Sequence, residues 1–273
     1  MLSQAEKGAA FAELHKRAGT FIIPNPWDVG SARLLAYLGF EALATSSAGY
    51  AFSIGKPDNA VGRGAMLAHA AAVTSATDLP VSIDLENGFG DAPEIVAETI
   101  RLAAATGVVG GSIEDATERA GDPLYERSLA VDRIRAAAEV VRELPFPFML
   151  TARAENYLNG KPDLKDTIER LQMYQEAGAD VLYAPGLTSK DEIATLISSV
   201  DRPVNVLMGL KGVKLTVPDV ATVGAKRISV GSGFARCALG AFLRAASEMR
   251  EHGTFTFAED AADFRTLNSI FSA

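Results

Sequence analysis

Hydrophobic residues of this chain are concentrated in eight short runs, separated by longer stretches with a different periodicity. Each run has four to eight residues, which suits a buried β-strand. The runs are FIIP (21–24), ALATSS (42–47), PVSIDLE (80–86), VVGGSIED (108–115), FMLTARAE (148–155), DVLYAP (180–185), PVNVLM (203–208) and RISVG (227–231).

The stretches between the runs have the apolar spacing of helices, as in residues 93–107 and 129–144. Strand and helix alternate about eight times, without a linker rich in Pro, Gly or Ser. This order is typical of a parallel α/β fold. We predict a single (βα)8 TIM-type barrel domain over residues 1–273, with an open doubly wound sheet as the alternative.

Helical segments flank the predicted barrel. Residues 1–18 predict a leading helix, and residues 234–273 predict a C-terminal helical region. This C-terminal region carries more apolar surface than one barrel needs, so we expect it to dock on another subunit. Cys237, the only cysteine, lies in the apolar segment FARCALGAFL and is expected to be a small buried residue.

Composition and charge narrow the function classes. The chain is 48% hydrophobic and 22% charged, which is typical of a globular protein, and its apolar runs are too short to span a bilayer. A net charge of -8 without a basic run argues against nucleic-acid and anionic-membrane partners. The N-terminal segment lacks the apolar centre of a signal peptide, so we predict a cytoplasmic protein that acts on small molecules.

Polar residues stand where the predicted strands end, which is where barrels of this type carry their chemistry. Side chains two residues apart on a strand share one face, so Asp84 and Glu86 point the same way, as do Arg153 and Glu155. Further polar groups at the same level, from other strands and one loop, are Thr45, Ser46, Ser47, Asp58, Glu114 and Asp115.

These groups predict a divalent cation site. Adjacent carboxylates repel each other unless a cation or protons intervene. Carboxylates with hydroxyl groups offer the hard oxygen ligands that Mg²⁺ prefers, and Mn²⁺ is the alternative ion. Arg153 can hold a substrate carboxylate through a bidentate pair. The competing interpretation is that the same groups form ordinary salt bridges and helix caps.

Two other kinds of site are disfavoured. The three histidines, His15, His69 and His252, lie in predicted helices or near a helix end, so we expect no histidine metal site or base. No lysine lies in a predicted strand, which argues against Schiff-base chemistry inside the barrel.

Five segments together resemble the isocitrate lyase and phosphoenolpyruvate mutase superfamily. They are PNPWDVGSARLL (24–35), SIDLENGFG (82–90), SIEDAT (112–117), TARAENY (151–157) and GADVLYAPG (178–186). The resemblance implies a (βα)8 barrel whose last helix is exchanged between paired subunits, in a homotetramer built as a dimer of dimers. It also implies Mg²⁺ and a 2-oxo acid or related carboxylate as the bound partners.

The resemblance assigns roles to individual residues. The acids that match the family's DxD metal motif and its third acidic residue are Asp84, Glu86 and Glu114. The residues that match catalytic positions are Asp58, Glu114 and the substrate-binding Arg153. The backbone segment that matches the oxo-acid cradle is Ser46, Ser47 and Ala48.

The chain departs from the family pattern in three places. Glu86 replaces an aspartate, and its extra methylene could make the metal contact water-mediated. The loop DATERAGDPLYERS (115–128) lacks the KKCGH-like segment that supplies the lyases' catalytic cysteine, and Pro185 stands where those lyases carry a glutamate. Isocitrate and methylisocitrate cleavage are therefore disfavoured, because both proton-handling groups are missing.

The predicted metal site, the carboxylate-binding arginine and the oxo-acid cradle remain. Together they can stabilise the enolate that forms when a bond beside a 2-oxo group breaks. We predict a Mg²⁺-dependent lyase on a small 2-oxo acid or dicarboxylate, similar to an oxaloacetate decarboxylase. The alternatives are a carbon–phosphorus bond enzyme, such as phosphonopyruvate hydrolase or phosphoenolpyruvate mutase, and a 2-oxo-acid binding protein with weak catalysis. The predicted lid residues, with a solvated loop as the alternative, are Glu118, Arg119, Asp122 and Tyr125.

Overall fold

Eight parallel strands form one continuous sheet. The computed structural model describes residues 2–272. The strands are β1 (Phe21–Ile22), β2 (Leu43–Ala44), β3 (Val81–Asp84), β4 (Gly110–Glu114), β5 (Ala116–Arg119), β6 (Asp122–Leu124), β7 (Met149–Arg153), β8 (Val181–Tyr183), β9 (Val204–Leu207) and β10 (Arg227–Ser229). The sheet order is β1-β10-β9-β8-β7-β4-β3-β2, and β5 pairs with β6 in a separate antiparallel hairpin.

The two outer strands of this order meet and close the barrel. The backbone N–H of Ala44 in β2 donates to the carbonyl oxygen of Pro24, just beyond β1, at 3.1 Å. The side-chain amide of Asn25 donates to the carbonyl oxygen of Thr45 at 3.2 Å. Each of the eight predicted runs contains a strand of the sheet, so the predicted barrel is confirmed.

Helices follow the strands in the predicted alternation. They are α1 (Gln4–Lys16), α2 (Val29–Tyr37), α3 (Ser47–Ser53), α4 (Arg63–Ser75), α5 (Pro93–Ala104), α6 (Arg127–Glu143), α7 (Leu164–Ala177), α8 (Lys190–Ser198), α9 (Val217–Thr222), α10 (Gly233–His252) and α11 (Phe264–Ser272), with a 3-10 helix over Thr256–Asp260. Local signals set their ends: Ser3 and Glu6 form a capping box at α1, and Gly178, in the left-handed region, ends α7. Within residues 2–272, none of these helices is long and apolar enough to cross a membrane.

The core has two parts, one on each side of the sheet. Outward side chains such as Val81, Ile83 and Leu85 pack against the surrounding helices. The bottom of the barrel is filled from below by Phe11 and Leu14 of α1, which pack against an inner cluster of Phe21, Ile23, Ala42 and Val109. Because α1 closes this end, the polar residues at the carboxyl ends of the strands are left at the opposite mouth.

The last long helix is almost entirely exposed. In α10 only Ala235 is buried, while Phe242 and Leu243 are 67% and 63% exposed. Cys237 is also exposed, so the expectation that it is buried was wrong for this chain. The apolar residues around Cys237 lie on a helix that packs little against its own barrel, so they are not buried within this chain.

A buried ion pair joins two strands to a helix beneath the mouth. Asp115, which follows β4, accepts a hydrogen bond from the Glu155 backbone N–H at 2.8 Å. It also accepts from Arg170 at 3.0 Å and from the Tyr174 hydroxyl at 2.6 Å, both on α7. Asp115 is therefore a structural residue that fixes the ends of β4 and β7 relative to α7.

We predict that Asp115→Ala lowers the free energy of unfolding by about 3 kcal/mol, because Arg170 and Tyr174 lose a buried partner. The matched control is Asp132→Ala, whose salt bridge to Arg135 lies on the exposed face of α6 and should contribute little. Urea unfolding followed by circular dichroism measures both. Equal effects of the two substitutions would show that the Asp115 network is not structural.

Candidate active site

Arg153, at the end of β7, stands at the centre of the barrel mouth. Its Nη1 lies 3.0 Å from Asp84 Oδ1, its Nη2 lies 3.0 Å from Glu114 Oε2, and its Nε donates to Glu155 Oε1 at 2.8 Å. Parallel pairing explains part of this arrangement, because Glu114 of β4 is the register partner of Arg153. Burial alone would lower the pKa of Arg153, but the three carboxylates together raise it well above its usual value.

Asp84 links the arginine to the predicted oxo-acid cradle. Its Oδ2 accepts from the Ser47 hydroxyl at 2.8 Å and from the Ser47 backbone N–H at 3.2 Å. The hydroxyl of Ser46 is engaged as the N-cap of α3, where it accepts from the Gly49 N–H at 3.1 Å. The cradle therefore offers a substrate mainly its backbone, with Ala48 beside it.

A cavity of about 170 Å³ lies beside these groups, within the barrel mouth. Ligand pockets for drug-sized molecules are typically about 300–1,000 Å³, so this cavity suits a small acid. The sequence-predicted residues that line it are Ser46, Ser47, Ala48, Asp58, Asp84 and Arg153. Pro185, which replaces the lyases' glutamate in the sequence comparison, also lines it.

The predicted metal residues do not all face this cavity. Of Asp84, Glu86 and Glu114, only Asp84 is among the lining residues. Glu114 is buried against Arg153. Glu86 has a φ of 51°, in the left-handed region, and lines a neighbouring groove of about 860 Å³ between the hairpin and the starts of α4 and α5.

Carboxyl groups outnumber cationic groups at the mouth, and three of these carboxyl groups have raised pKa values. Burial, with Asp84, Glu118 and Asp58 nearby, raises the pKa of Glu86 to about 8. Burial also raises the pKa of Glu114 well above its usual value, although Arg153 opposes the effect. For Asp58, burial of the carboxyl group and the charge of Asp84 raise the pKa as well.

The ionised forms of these carboxyl groups are unfavourable without a partner of opposite charge, which fits a divalent cation, and the donors are the hard oxygens that Mg²⁺ prefers. Among residues 2–272, however, no three His, Cys, Asp or Glu side chains are grouped so that they could ligate a metal directly. The residues therefore fit a hydrated cation held by Asp84, with Glu86 and Glu114 acting through water.

The hairpin β5–β6 occupies the place of the predicted lid. Glu118 lines the groove beside Glu86, and Asp122 lies exposed at the turn. Arg119 instead pairs with Asp91 at 2.8 Å, and the Tyr125 hydroxyl donates to Asp91 at 2.6 Å. Of the four predicted lid residues, the structure brings only Glu118 toward the site, while Arg119 and Tyr125 anchor the hairpin to the start of α5.

Sequence reasoning missed the inner end of the cavity. Tyr183, Asn205, Arg227 and Ser229 line it, and none of them was predicted as a site residue. Alternation along the strands carried a signal, because Arg227 and Ser229 are two residues apart and share the inward face of β10. The sequence prediction did not use this signal, because barrels of this type carry their chemistry at the carboxyl ends of the strands and Arg227 is the first residue of its strand.

Comparisons with known proteins match nearly the whole chain to one family. The family model described as phosphoenolpyruvate phosphomutase matches residues 11–250. The chain is 36% identical over 227 residues to an uncharacterised protein of Mycobacterium tuberculosis, covering 82% of each chain. It is 31% identical over 209 residues to a 2-methylisocitrate lyase of Halalkalibacterium halodurans, covering 74% of this chain and 67% of the relative.

Solved structures are similar over nearly the whole chain. A candidate lyase/mutase of Burkholderia cenocepacia is 63% identical, with a TM-score of 0.97 over 99% of this chain and 98% of that one. Oxaloacetate acetylhydrolase in complex with its product oxalate is 25% identical, with a TM-score of 0.87 over 98% of this chain and 94% of that one.

We predict that Glu86→Gln makes stability less dependent on pH. The native pKa of about 8 lies above the ordinary value of 4.5, so the wild-type protein loses stability as the pH rises from 4.5 to 8. The melting temperature of the glutamine variant should exceed that of the wild type by a margin that grows over this range. Above pH 8 the difference in the free energy of unfolding between the two proteins should approach about 5 kcal/mol.

Calorimetry in EDTA from pH 5 to pH 9 measures this difference. Glu94→Gln is the matched control, since Glu94 lines the same groove but is exposed. Added Mg²⁺ should shrink the difference by favouring the carboxylate. A difference that stays constant with pH would show that Glu86 ionises normally.

Proposed function

Since the chain belongs to the phosphoenolpyruvate mutase and isocitrate lyase superfamily, we propose that it is a Mg²⁺-dependent lyase acting on a small 2-oxo acid. Oxaloacetate is the first substrate to test. The observation that carries the proposal is the small cavity lined by Arg153, Asp84 and the Ser46–Ala48 segment. Oxaloacetate acetylhydrolase, a structural relative, was solved with a two-carbon dicarboxylate, oxalate.

In this proposal the residues of the chain bind and orient the acid. The Arg153 guanidinium, fixed in place by Asp84, Glu114 and Glu155, donates its remaining Nη1 N–H to a substrate carboxylate. The backbone of the Ser46–Ala48 segment positions the 2-oxo group. Asp84, with Glu86 and Glu114 behind it, would hold the cation. When bound, Mg²⁺ supplies Lewis-acid polarisation of the 2-oxo group.

The hairpin favours decarboxylation over isocitrate-type cleavage. Its strands and turn, residues 116–124, contain no cysteine, histidine or lysine to transfer a proton. When the carboxylate β to the 2-oxo group leaves as CO₂, as from oxaloacetate, the electron pair of the broken bond enters the enolate. This step needs charge stabilisation at the oxo group, and solvent can supply the final proton. The proposed reaction therefore uses only groups that the mouth contains.

Carbon–phosphorus chemistry is the second candidate. It is favoured by the matching family model and by a candidate phosphonomutase of Burkholderia cenocepacia, which is 33% identical with a TM-score of 0.81. Arg119, the cation expected to contact phosphoryl oxygens, is instead paired with Asp91. That pairing places phosphonopyruvate second to oxaloacetate.

A homo-oligomer is also proposed, with a second copy of the chain covering α10. Its exposed apolar side chains are Phe234, Leu239, Phe242, Leu243 and Met249. α10 is a 20-residue helix that carries apolar and charged side chains and follows β10 closely, so a second copy of the chain in a symmetric pair would offer the same surface in return. The dimer of dimers and the cytoplasmic location stay predictions.

We predict that the protein with Mg²⁺ consumes oxaloacetate faster than phosphonopyruvate, and that EDTA abolishes turnover. Asp84→Asn should lower kcat/KM at least about 100-fold, because it removes charge that the cation requires. Arg153→Lys should chiefly raise KM, since lysine lacks the planar guanidinium that contacts three carboxylates and the substrate at once. Pyruvate and phosphate release measure the two reactions.

The control for these variants is Asp132→Asn, on the exposed face of α6. Full activity of Asp84→Asn would remove the metal site from the mechanism. Tight binding of oxalate without turnover of either substrate would instead support the 2-oxo-acid binding protein.

For the oligomer, Phe242→Ser combined with Leu243→Ser should shift sedimentation toward a smaller species, because two exposed apolar side chains lose their buried contacts. Leu38→Ser, 68% exposed and outside α10, is the matched control. Analytical ultracentrifugation gives the result. An unchanged sedimentation coefficient would show that α10 does not form the interface.

A further inference from the structure

Arg227 stands at the inner end of the cavity and is only 4% exposed. Its Nε donates to Asn205 Oδ1 at 2.9 Å, and its Nη2 donates to the Thr151 hydroxyl at 3.0 Å. Its Nη1 lies 3.4 Å from Nε2 of His15, which reaches it from α1. All three partners are uncharged, because burial and the nearby arginine lower the pKa of His15 to about 3.

This environment differs from that of Arg153. Arg153 is surrounded by three carboxylates, whereas the structure gives Arg227 no carboxylate partner among the residues it describes. Burial lowers the pKa of Arg227 to about 10, and the nearby Tyr183 phenol only partly opposes the effect. The guanidinium is still charged at neutral pH, so a buried positive charge lacks an anion.

The guanidinium also has donors to spare. An arginine carries five N–H groups, and the three contacts engage one each on Nε, Nη1 and Nη2. Within residues 2–272, one N–H on each terminal nitrogen is left without a protein acceptor. Two N–H groups on neighbouring terminal nitrogens match the two oxygens of a carboxylate.

The barrel interior leaves room for such an anion. TIM-type barrels normally fill this space with bulky branched side chains. Here six of the inward positions above the α1 plug are small or hydroxylated, namely Ala44, Ser82, Gly110, Ser112, Thr151 and Ser229, although Tyr183 also lines the cavity. The cavity lined by Asp84 and Arg153 is also lined by Ser82, Asn205 and Arg227, so it is continuous from the mouth to the inner arginine.

A purely structural role accounts poorly for this arginine. A buried charge without a counter-ion is costly, and an apolar residue of similar volume would fill the position at a lower cost. Arg227 contributes no salt bridge to the fold, whereas Arg170, also buried, pairs with Asp115 and Asp166. A bound anion supplies the missing partner.

We propose that Arg227 binds the second carboxylate of a dicarboxylate ligand whose first carboxylate lies at Arg153. The inference rests on the proposed function in so far as the ligand is a small acid in the mouth, and it narrows the substrate class to dicarboxylates. Asn205 holds the guanidinium through Nε and is itself held by a hydrogen bond from its Nδ2 to Ser229 at 2.9 Å. Asn205 is thus a positioning residue for the arginine.

The test uses unreactive pairs of acids that differ in one carboxylate. They are 2-oxoglutarate against 2-oxopentanoate and succinate against butyrate, and isothermal titration calorimetry with Mg²⁺ gives each dissociation constant. The wild-type protein should bind the dicarboxylate of at least one pair about tenfold or more tightly, as expected for a charge-assisted pair. Equal affinities within both pairs would overturn the proposal.

Two variants assign the preference to Arg227. Arg227→Met removes the charge, and Asn205→Asp keeps the arginine but gives it a counter-ion. Both should abolish the dicarboxylate preference and leave the dissociation constant of 2-oxopentanoate, whose 2-oxo-acid end lies at Arg153, within about twofold. Asn205→Asp keeps the acceptor for Nε, so it is the informative variant if Arg227→Met fails to fold.

His15→Leu is the matched control, because it removes a partner of Arg227 from below and leaves the cavity lining unchanged. It should keep the preference even if it lowers the melting temperature. A preference retained in Arg227→Met or Asn205→Asp would overturn the inference. Dicarboxylate preference without turnover of any 2-oxo acid would instead reject the lyase and leave this binding role standing.

Discussion

The mouth of the barrel depends on Arg153 and the carboxylates that surround it. Asp84, Glu114 and Glu155 come from the ends of three different strands, and without a shared cation they would repel one another across a buried site. Parallel register places Glu114 beside Arg153, and the Asp115 network holds the same strand ends from below. The fold thus concentrates acids at one point and stabilises them with a single guanidinium.

One guanidinium does not neutralise this many carboxylates. Burial, and to a lesser degree the neighbouring carboxylates, raises the pKa values of Asp58, Glu86 and Glu114. The hairpin does not relieve this excess of carboxyl groups, because Arg119 is paired with Asp91 and Glu118 adds a further acid. A hydrated divalent cation would relieve it, and a fixed network of carboxylates is where such a cation costs the protein least reorganisation.

The sequence predicted the barrel because the spacing of apolar residues in strands differs clearly from that in helices. It also predicted acids at the mouth, because these acids directly follow apolar runs. It did not reveal which acids face the cavity. The direction of Glu86 follows from a left-handed backbone at that residue, which no side-chain pattern encodes. Cys237 was wrongly predicted to be buried, because an apolar helix is buried only where another surface packs against it. Arg227 was not predicted, because barrels of this type carry their chemistry at the carboxyl ends of the strands and Arg227 begins its strand.

The two ends of the cavity differ in their balance of charge because of where each arginine lies on its strand. Arg153 ends β7 and Arg227 begins β10, so one arginine meets the strand-end acids while the other lies near the apolar plug of α1, where no acid follows a strand. An anion entering the mouth meets carboxylates first and is attracted only where a cation or Arg153 offsets them. Farther in, the uncompensated charge of Arg227 attracts it without competition. A molecule with an anionic group at each end can contact both arginines at once, whereas a monocarboxylate can contact only one of them.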